Sequence, residues 1–238
     1  MVGENRTGAV RAVCGRYSLT ARLDRLLPRL QGALPLGLQE YYAPRPLIAP
    51  GEPVLALRQE HGLQQPALML WGLLPEWSKD PLAGPRPFNA RAETVAEKAS
   101  FRGAWRHRRC LLPADAFYEK GHRIHRCDGA LFWLAGLWDR WIGPDGSEVE
   151  SCCVLTTSPN SLVAPLHNRM PVILPDGLEQ PWLEARDGPG LRVLEPLMGG
   201  WDPAGWVAEP PSPRPARARP TQGRADPADG AQQLPLFK

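Results

Sequence analysis

LFWLAGLW (131–138) and CCVLTT (152–157) are short apolar runs closed off by Gly, Pro and Asn on their flanks. Runs of this length between turn residues read as buried strands. Four more share the texture: VLAL (54–57), ALMLWGLL (67–74), RCLLP (109–113) and MPVIL (170–174). Leu19, Leu23, Leu26, Leu27 and Leu30 fall on one helical face, so a helix is predicted over Leu19–Leu30. Ala92–Ala99 and Leu178–Glu184 are weaker helix candidates. Strands outnumber helices, and no strict strand–helix–strand alternation appears. The predicted class is therefore α+β: a mainly antiparallel, barrel-like β core with flanking helices.

Texture also divides the chain. Residues 1–12 are polar and without periodicity, and read as a leader. Globular texture runs from Cys14 to about Leu197, giving a predicted domain over 14–200. PPSPRPARARPTQGRADPADG is rich in Pro, Ala and Arg with little to bury, so 207–238 reads as a disordered tail. The formal net charge of +3 does not by itself indicate nucleic acid. Arg102, Arg106, His107, Arg108 and Arg109 cluster around Trp105, which fits a solvated face or an anion-binding one. Nine Trp serve cores or base-stacking platforms equally well.

Five Cys in a chain of this length do not form a disulfide framework. Cys110, Cys152 and Cys153 sit in apolar runs and read as buried thiols. His122, His125 and Cys127 lack a second pair at zinc spacing, so no metal and no cofactor is expected. The opening MVGENRTG has no apolar segment of secretory type, and no run reaches membrane-spanning length. An intracellular, cytoplasmic protein with reduced thiols is expected, most simply a monomer.

Four segments carry the chemistry: CGRYSLT (14–20), FNARAET (88–94), LLPADAFYEK (111–120) and PLHNRMPVIL (165–174). WGLLPEWSKDP (71–81) and LTTSPN (155–160) accompany them. Together, and in this order, they resemble the SOS-response-associated peptidase (SRAP) family over about Cys14 to Leu197. The resemblance implies a barrel-like α+β domain that captures abasic sites in single-stranded DNA through an N-terminal Cys, here Cys14. It also implies an acid–base carboxylate at Glu119, an imidazole at His167 and an active-site amide at Asn89. Arg91 and Arg169 carry over as phosphate contacts, with Arg16, Pro50 and Thr156 as further groove positions. Trp77 is either a base-stacking residue beside the lesion or part of the core.

The chemistry explains why an N-terminal Cys is needed. A free α-amine condenses with the aldehyde of a ring-opened abasic sugar to give an imine. The thiol then closes a thiazolidine, and the ring closure is intramolecular. A carboxyl in the apolar setting AFYE suits proton transfer. Competing readings are a cysteine peptidase using Cys14, Glu119 and His167, and a noncovalent single-strand-binding module.

The sequence departs from the family at three places. Lys120 follows the Glu where Trp is usual, and Leu47 replaces an Asn. Residues 1–13 also precede the reactive Cys, and a peptide-bonded nitrogen forms no imine. Two routes would expose the amine. Translation could start at a GTG codon for Val13, followed by methionine removal. Alternatively, the Cys14 thiol could attack the Val13 carbonyl and release the leader.

The chain closes on Gln233-Leu234-Pro235-Leu236-Phe237, an apolar plug on a polar tether. It resembles the bacterial sliding-clamp-binding motif, and an ordinary apolar tail is the alternative. A clamp ligand would bring the protein to replication forks on the nucleoid. Clamp pull-down is expected to succeed with the intact chain and fail for the Leu236→Ala, Phe237→Ala double variant. Unchanged capture by that variant would refute the motif.

Overall fold

The structure, a computed structural model, describes residues 14–30, 34–80, 84 and 86–211. Its strands in chain order are β1 (Tyr17–Leu19), β2 (Arg45–Ile48), β3 (Pro53–Glu60), β4 (Leu63–Trp71), β5 (Asn89–Arg91), β6 (Arg109–Ala114), β7 (Ala116–Glu119), β8 (His122–Arg126), β9 (Phe132–Ile142), β10 (Glu148–Thr157), β11 (Met170–Pro171), β12 (Ile173–Leu174) and β13 (Trp206–Glu209).

Five of these strands close a barrel. β3 pairs antiparallel with β4 and with β6, β6 pairs with β9, and β9 pairs with β10. A short parallel contact, Ser151↔Leu70 and Cys152↔Trp71, joins β10 back to β4. The apolar runs supply this ring because its strands are covered on both faces; Arg109–Ala114 is buried at every residue. A second, antiparallel sheet runs β13-β8-β7-β1-β2. The mainly antiparallel, barrel-like α+β architecture expected from sequence is the one observed.

Most of the Trp content serves the core. Trp71, Trp133 and Trp182 are fully buried. Each indole N–H finds an acceptor: Phe88 O at 2.9 Å, Glu179 Oε1 at 3.0 Å and Cys110 O at 3.1 Å respectively. This is how a buried Trp avoids an unmet donor. Arg109 is also structural. Its buried guanidinium donates to the carbonyls of Trp182 (2.7 Å), Trp105 (2.5 Å) and Ala185. Cys110, Cys152 and Cys153 are buried free thiols.

Several local expectations need correction. Leu19 belongs to β1, and the helix begins only at Leu23, tightening into a 3-10 turn over Leu27–Leu30. The leucine spacing is real, but pairing with β2 and β7 claims Leu19 and its neighbours first. Ala92–Ala99 holds only a 3-10 turn at Ala92–Thr94. That segment is fixed by the Glu93–Arg169 pair and by burial of Val95, not by a helical ladder. The ordered fold also extends beyond 200, into the stretch assigned to the tail. β13 pairs with β8 from Trp206↔Arg126 to Glu209↔Arg123. Trp206 stacks near Phe132 and Trp201, with ring centroids 4.9 and 4.4 Å away. Residues 1–13 and the terminal plug lie outside the described residues. No helix among those described is long and apolar enough to cross a membrane.

Barrel closure demands a close approach at Gly136. A Cβ there would meet Cys153 O and Leu112 Cδ1 at 2.8 Å and Cys110 Sγ at 3.0 Å. Gly136→Ala should therefore destabilise the fold by about 1–3 kcal/mol, read as a lower urea midpoint at unchanged slope. A wild-type midpoint would mean that the β6–β9–β10 packing is looser than described.

Candidate functional site

The register of β1 on β7 builds the centre of the site. Tyr17 lies opposite Phe117, and Tyr118 N–H donates to Arg16 O at 2.9 Å. Extending this pairing sets Gly15 and Cys14 against Glu119, the last residue of β7. Cys14 N–H donates to Glu119 Oε2 at 3.2 Å. Both residues are buried, at 5% and 7% exposure. The backbone bends sharply on each side of this contact. Cys14 has φ 46°, and Lys120 and Gly121, which turn β7 into β8, have φ 47° and 82°. Two successive positive φ values make the tight hairpin turn that suits the strand twist, although Lys is an uncommon residue there.

The second wall comes from the distal half of β10. There β5 runs parallel to it, setting Asn89 beside Val154 and Arg91 beside Thr156. β11 covers the other edge, with Thr156 opposite Pro171. The turn before β11 supplies His167 and Arg169. Arg169 N–H donates to His167 Nδ1 at 3.1 Å. Nδ1 is thereby an acceptor, so the neutral ring carries its proton on Nε2. Arg169 forks onto Glu93 at 2.6 and 2.8 Å and reaches Thr156 O at 2.5 Å.

Electrostatics tie the two walls together. Burial pushes the Cys14 thiol well above its ordinary pKa; the Glu119 carboxylate adds to this and the Arg169 charge opposes it. The Cys14 thiol is therefore protonated near neutrality and lies within reach of the Arg169 field. Beside the Cys14–Glu119 contact opens a cleft of 500 Å³, lined among others by Gly15, Arg16, Pro50, Phe88, Glu119 and Lys120. Leu47, half exposed, also lines it.

The structure thus gathers Cys14, Glu119, Arg16 and Pro50 around one cleft. Asn89, Arg91, Thr156, His167 and Arg169 form the adjoining wall. Trp77 is not among them. It is 64% exposed and lines a different cleft, with Arg102 and Arg106. Glu93 was not singled out from sequence; it lies in FNARAET, four residues after Asn89, and only the fold reveals its partner. His122, His125 and Cys127 do not come together as a ligand set, and no group of three or more His, Cys, Asp or Glu side chains that could hold a metal ion occurs among the described residues.

Comparisons with known proteins agree on one family. Residues 13–202 match the family model described as SOS response associated peptidase (SRAP). The chain is 37% identical over 186 residues to Abasic site processing protein YoqW of Bacillus subtilis (strain 168), covering 74% of this chain and 82% of that one. It is 28% identical over 207 residues to Abasic site processing protein YedK of Escherichia coli (strain K12), covering 81% and 88%. A crystal structure of a protein from Bacteroides thetaiotaomicron superposes with a TM-score of 0.72 at 25% identity, covering 82% of this chain and 90% of that one.

The Glu93–Arg169 fork has a titration signature. Hydrogen bonding to Arg169 holds the Glu93 carboxyl below the usual Glu range. A depressed folded pKa stabilises the fold at neutral pH. That contribution is lost as pH falls through the usual Glu range towards the lower folded value. Carboxyl NMR should show Glu93 titrating lower than exposed glutamates, and Arg169→Gln should return it to the ordinary range. An unchanged Glu93 titration in that variant would contradict the pairing.

Proposed function

The chain belongs to the SOS response associated peptidase (SRAP) family, and on that footing we propose that it processes abasic sites in single-stranded DNA by covalent capture through Cys14. The names of its relatives, abasic site processing proteins, support the substrate. The observation that carries the chemistry is the Cys14 nitrogen held 3.2 Å from Glu119 at the edge of an open cleft. In the full chain that nitrogen is a peptide nitrogen. It occupies the position of the α-amine in a chain that begins at Cys14.

In such a chain the amine adds to the aldehyde carbon of the opened sugar, and loss of water leaves an imine. Glu119 takes the amine proton and returns it to the departing hydroxyl. His167 presents Nε2–H as a hydrogen-bond donor to the sugar ring oxygen, which takes up the anomeric hydroxyl proton as the ring opens to the aldehyde. The thiol, kept protonated by burial, then adds across the C=N bond. Sulfur bonds to carbon, its proton passes to nitrogen by way of Glu119, and a thiazolidine results. Asn89 orients the amine or a sugar hydroxyl. Arg16, Arg91 and Arg169 serve the flanking phosphates, with Pro50 and Thr156 shaping the groove. Arg169 reaches a phosphate by sharing or releasing Glu93.

Residues 1–13 form a leader absent from the working protein, and the catalytic domain runs from Cys14 through the last strand, β13. The segment beyond the last strand tethers the clamp motif Gln233–Phe237, so the protein works as a cytoplasmic monomer at replication forks.

The test is incubation with single-stranded DNA carrying one abasic site, followed by a denaturing gel. A chain beginning at Cys14 should give a shifted band. Cys14→Ser should give none, and Glu119→Gln should slow its appearance about a hundredfold. A chain shown by intact mass to retain residues 1–13 should be inert. Equal crosslinking by that longer chain would overturn the amine's role. Retained binding without any band would favour the noncovalent module, and casein cleavage the peptidase.

A further inference from the structure

Lys120 stands at the cleft beside Cys14, and the proposed function makes no use of it. It follows Glu119 directly and lines the same 500 Å³ cleft, together with Gly15, Arg16 and Pro50. The lysines of the chain are Lys79, Lys98, Lys120 and Lys238. Among the described residues only Lys120 lines this cleft. Its side chain is exposed and makes no hydrogen bond or ion pair among the described residues. Glu119, its neighbour in the chain, accepts the Cys14 N–H instead.

The backbone gives no structural reason for a lysine here. Its φ of 47° is a left-handed conformation that Gly, Asn or Asp adopts more readily. The turn that carries it is nonetheless held in place. Glu119 and His122 pair across it. Pro211 packs over Gly121 so closely that a Cβ on Gly121 would lie 3.3 Å from the proline ring. An amine without a partner is thus carried by a fixed turn at the cleft, next to a buried carboxylate. An uncommon backbone conformation at such a place points to a functional constraint.

A primary amine condenses with an aldehyde to give an imine. In the chain that retains residues 1–13 the Cys14 nitrogen is an amide and cannot do so, which leaves Lys120 as the amine at this cleft. We infer that Lys120 is a second aldehyde-capturing group, which forms a reversible imine with the opened sugar of an abasic site while residues 1–13 are still attached. This rests on the DNA reading above but not on the Cys14 chemistry. Glu119 takes a proton from the Lys120 ammonium, and the freed lone pair on Nζ adds to the aldehyde carbon. The same proton then returns to the carbonyl oxygen. Transfer of one N–H proton to the resulting hydroxyl, again through Glu119, lets water leave as the C=N bond forms. The product is a protonated imine, with the charge that the ammonium carried. Lysine has no neighbouring thiol to close a ring, so water can add back and the link is transient.

The full chain, shown by intact mass to retain residues 1–13, is incubated with single-stranded DNA carrying one abasic site, with and without cyanoborohydride. Hydride from the reductant adds to the imine carbon and leaves a secondary amine that survives a denaturing gel. A shifted band should appear with the reductant and not without it, because the open imine hydrolyses. Lys120→Arg keeps the charge but removes the primary amine, and should lower the yield about tenfold or more. Lys120→Asn, which suits the left-handed turn, should do the same. Urea midpoints at or above wild type show both variants to be folded. Proteolysis and mass spectrometry should place the reduced adduct on Lys120. Full yield in either variant, or an adduct on Met1 or another lysine, would overturn the assignment. So would a full chain that binds the abasic strand by anisotropy yet gives no reducible band. No binding at all would remove the DNA reading and this inference together. A Lys120 adduct in the full chain, beside a chain beginning at Cys14 that gives no reductant-independent band, would sink Cys14 capture and uphold Lys120.

Discussion

Everything at the site depends on how β10 uses its two edges. Its first half is clasped between β9 and β4 and closes the barrel. β4 gives way to β5 at Val154, and β9, paired as far as Val154, gives way to β11 at Thr156. The backbone groups of a buried strand must be paired somewhere. The change of partners meets that demand and at the same time draws three remote pieces of chain to one spot. β5 delivers Asn89 and Arg91, and the turn leading into β11 delivers His167 and Arg169. A rigid, closed ring thus ends in a splayed mouth, and the polar residues occupy the mouth.

The second sheet meets this mouth through one strand pair. β1 is only three residues long and could not persist alone. Its pairing with β2 and β7 holds it, and Tyr17, buried and edge-on to Trp71, anchors it to the barrel. Cys14 is positioned by this anchorage, through its contact with Glu119 at the end of β7. Its contact with Glu119 follows from register: a slip of one residue would turn the Glu119 side chain to the opposite face.

The barrel was legible in the sequence because its strands are buried on both faces and read as continuous apolar runs. VLAL, RCLLP and CCVLTT fall within β3, β6 and β10, and LFWLAGLW lies in β9 from Phe132 onwards. MPVIL was legible too, as β11 and β12, whereas β5 and β8 were not legible as strands. HRIHR and NAR have little apolar content and exist because a neighbour offers a ladder. Leu19 shows the reverse error, a helical spacing overruled by tertiary pairing. The site residues became visible through the combination of four motifs, whereas spacing alone gave no reason to place Asn89 near His167. Trp77 lay within a motif yet belongs to another face, because nothing in WGLLPEWSKDP reveals that the chain leaves the barrel at Gly72, where φ is 148°.

The burial of Cys14 has a consequence for redox chemistry. Peroxide attacks a thiolate far faster than a thiol, and the product, a sulfenic acid, is lost to ring closure. Desolvation keeps the Cys14 sulfur protonated and shields it from solutes. Lack of reactivity in the resting state is therefore a form of storage. In the proposed reaction the sulfur stays reduced until an aldehyde carbon is delivered beside it by the neighbouring nitrogen, and proximity then supplies the reactivity that ionisation does not.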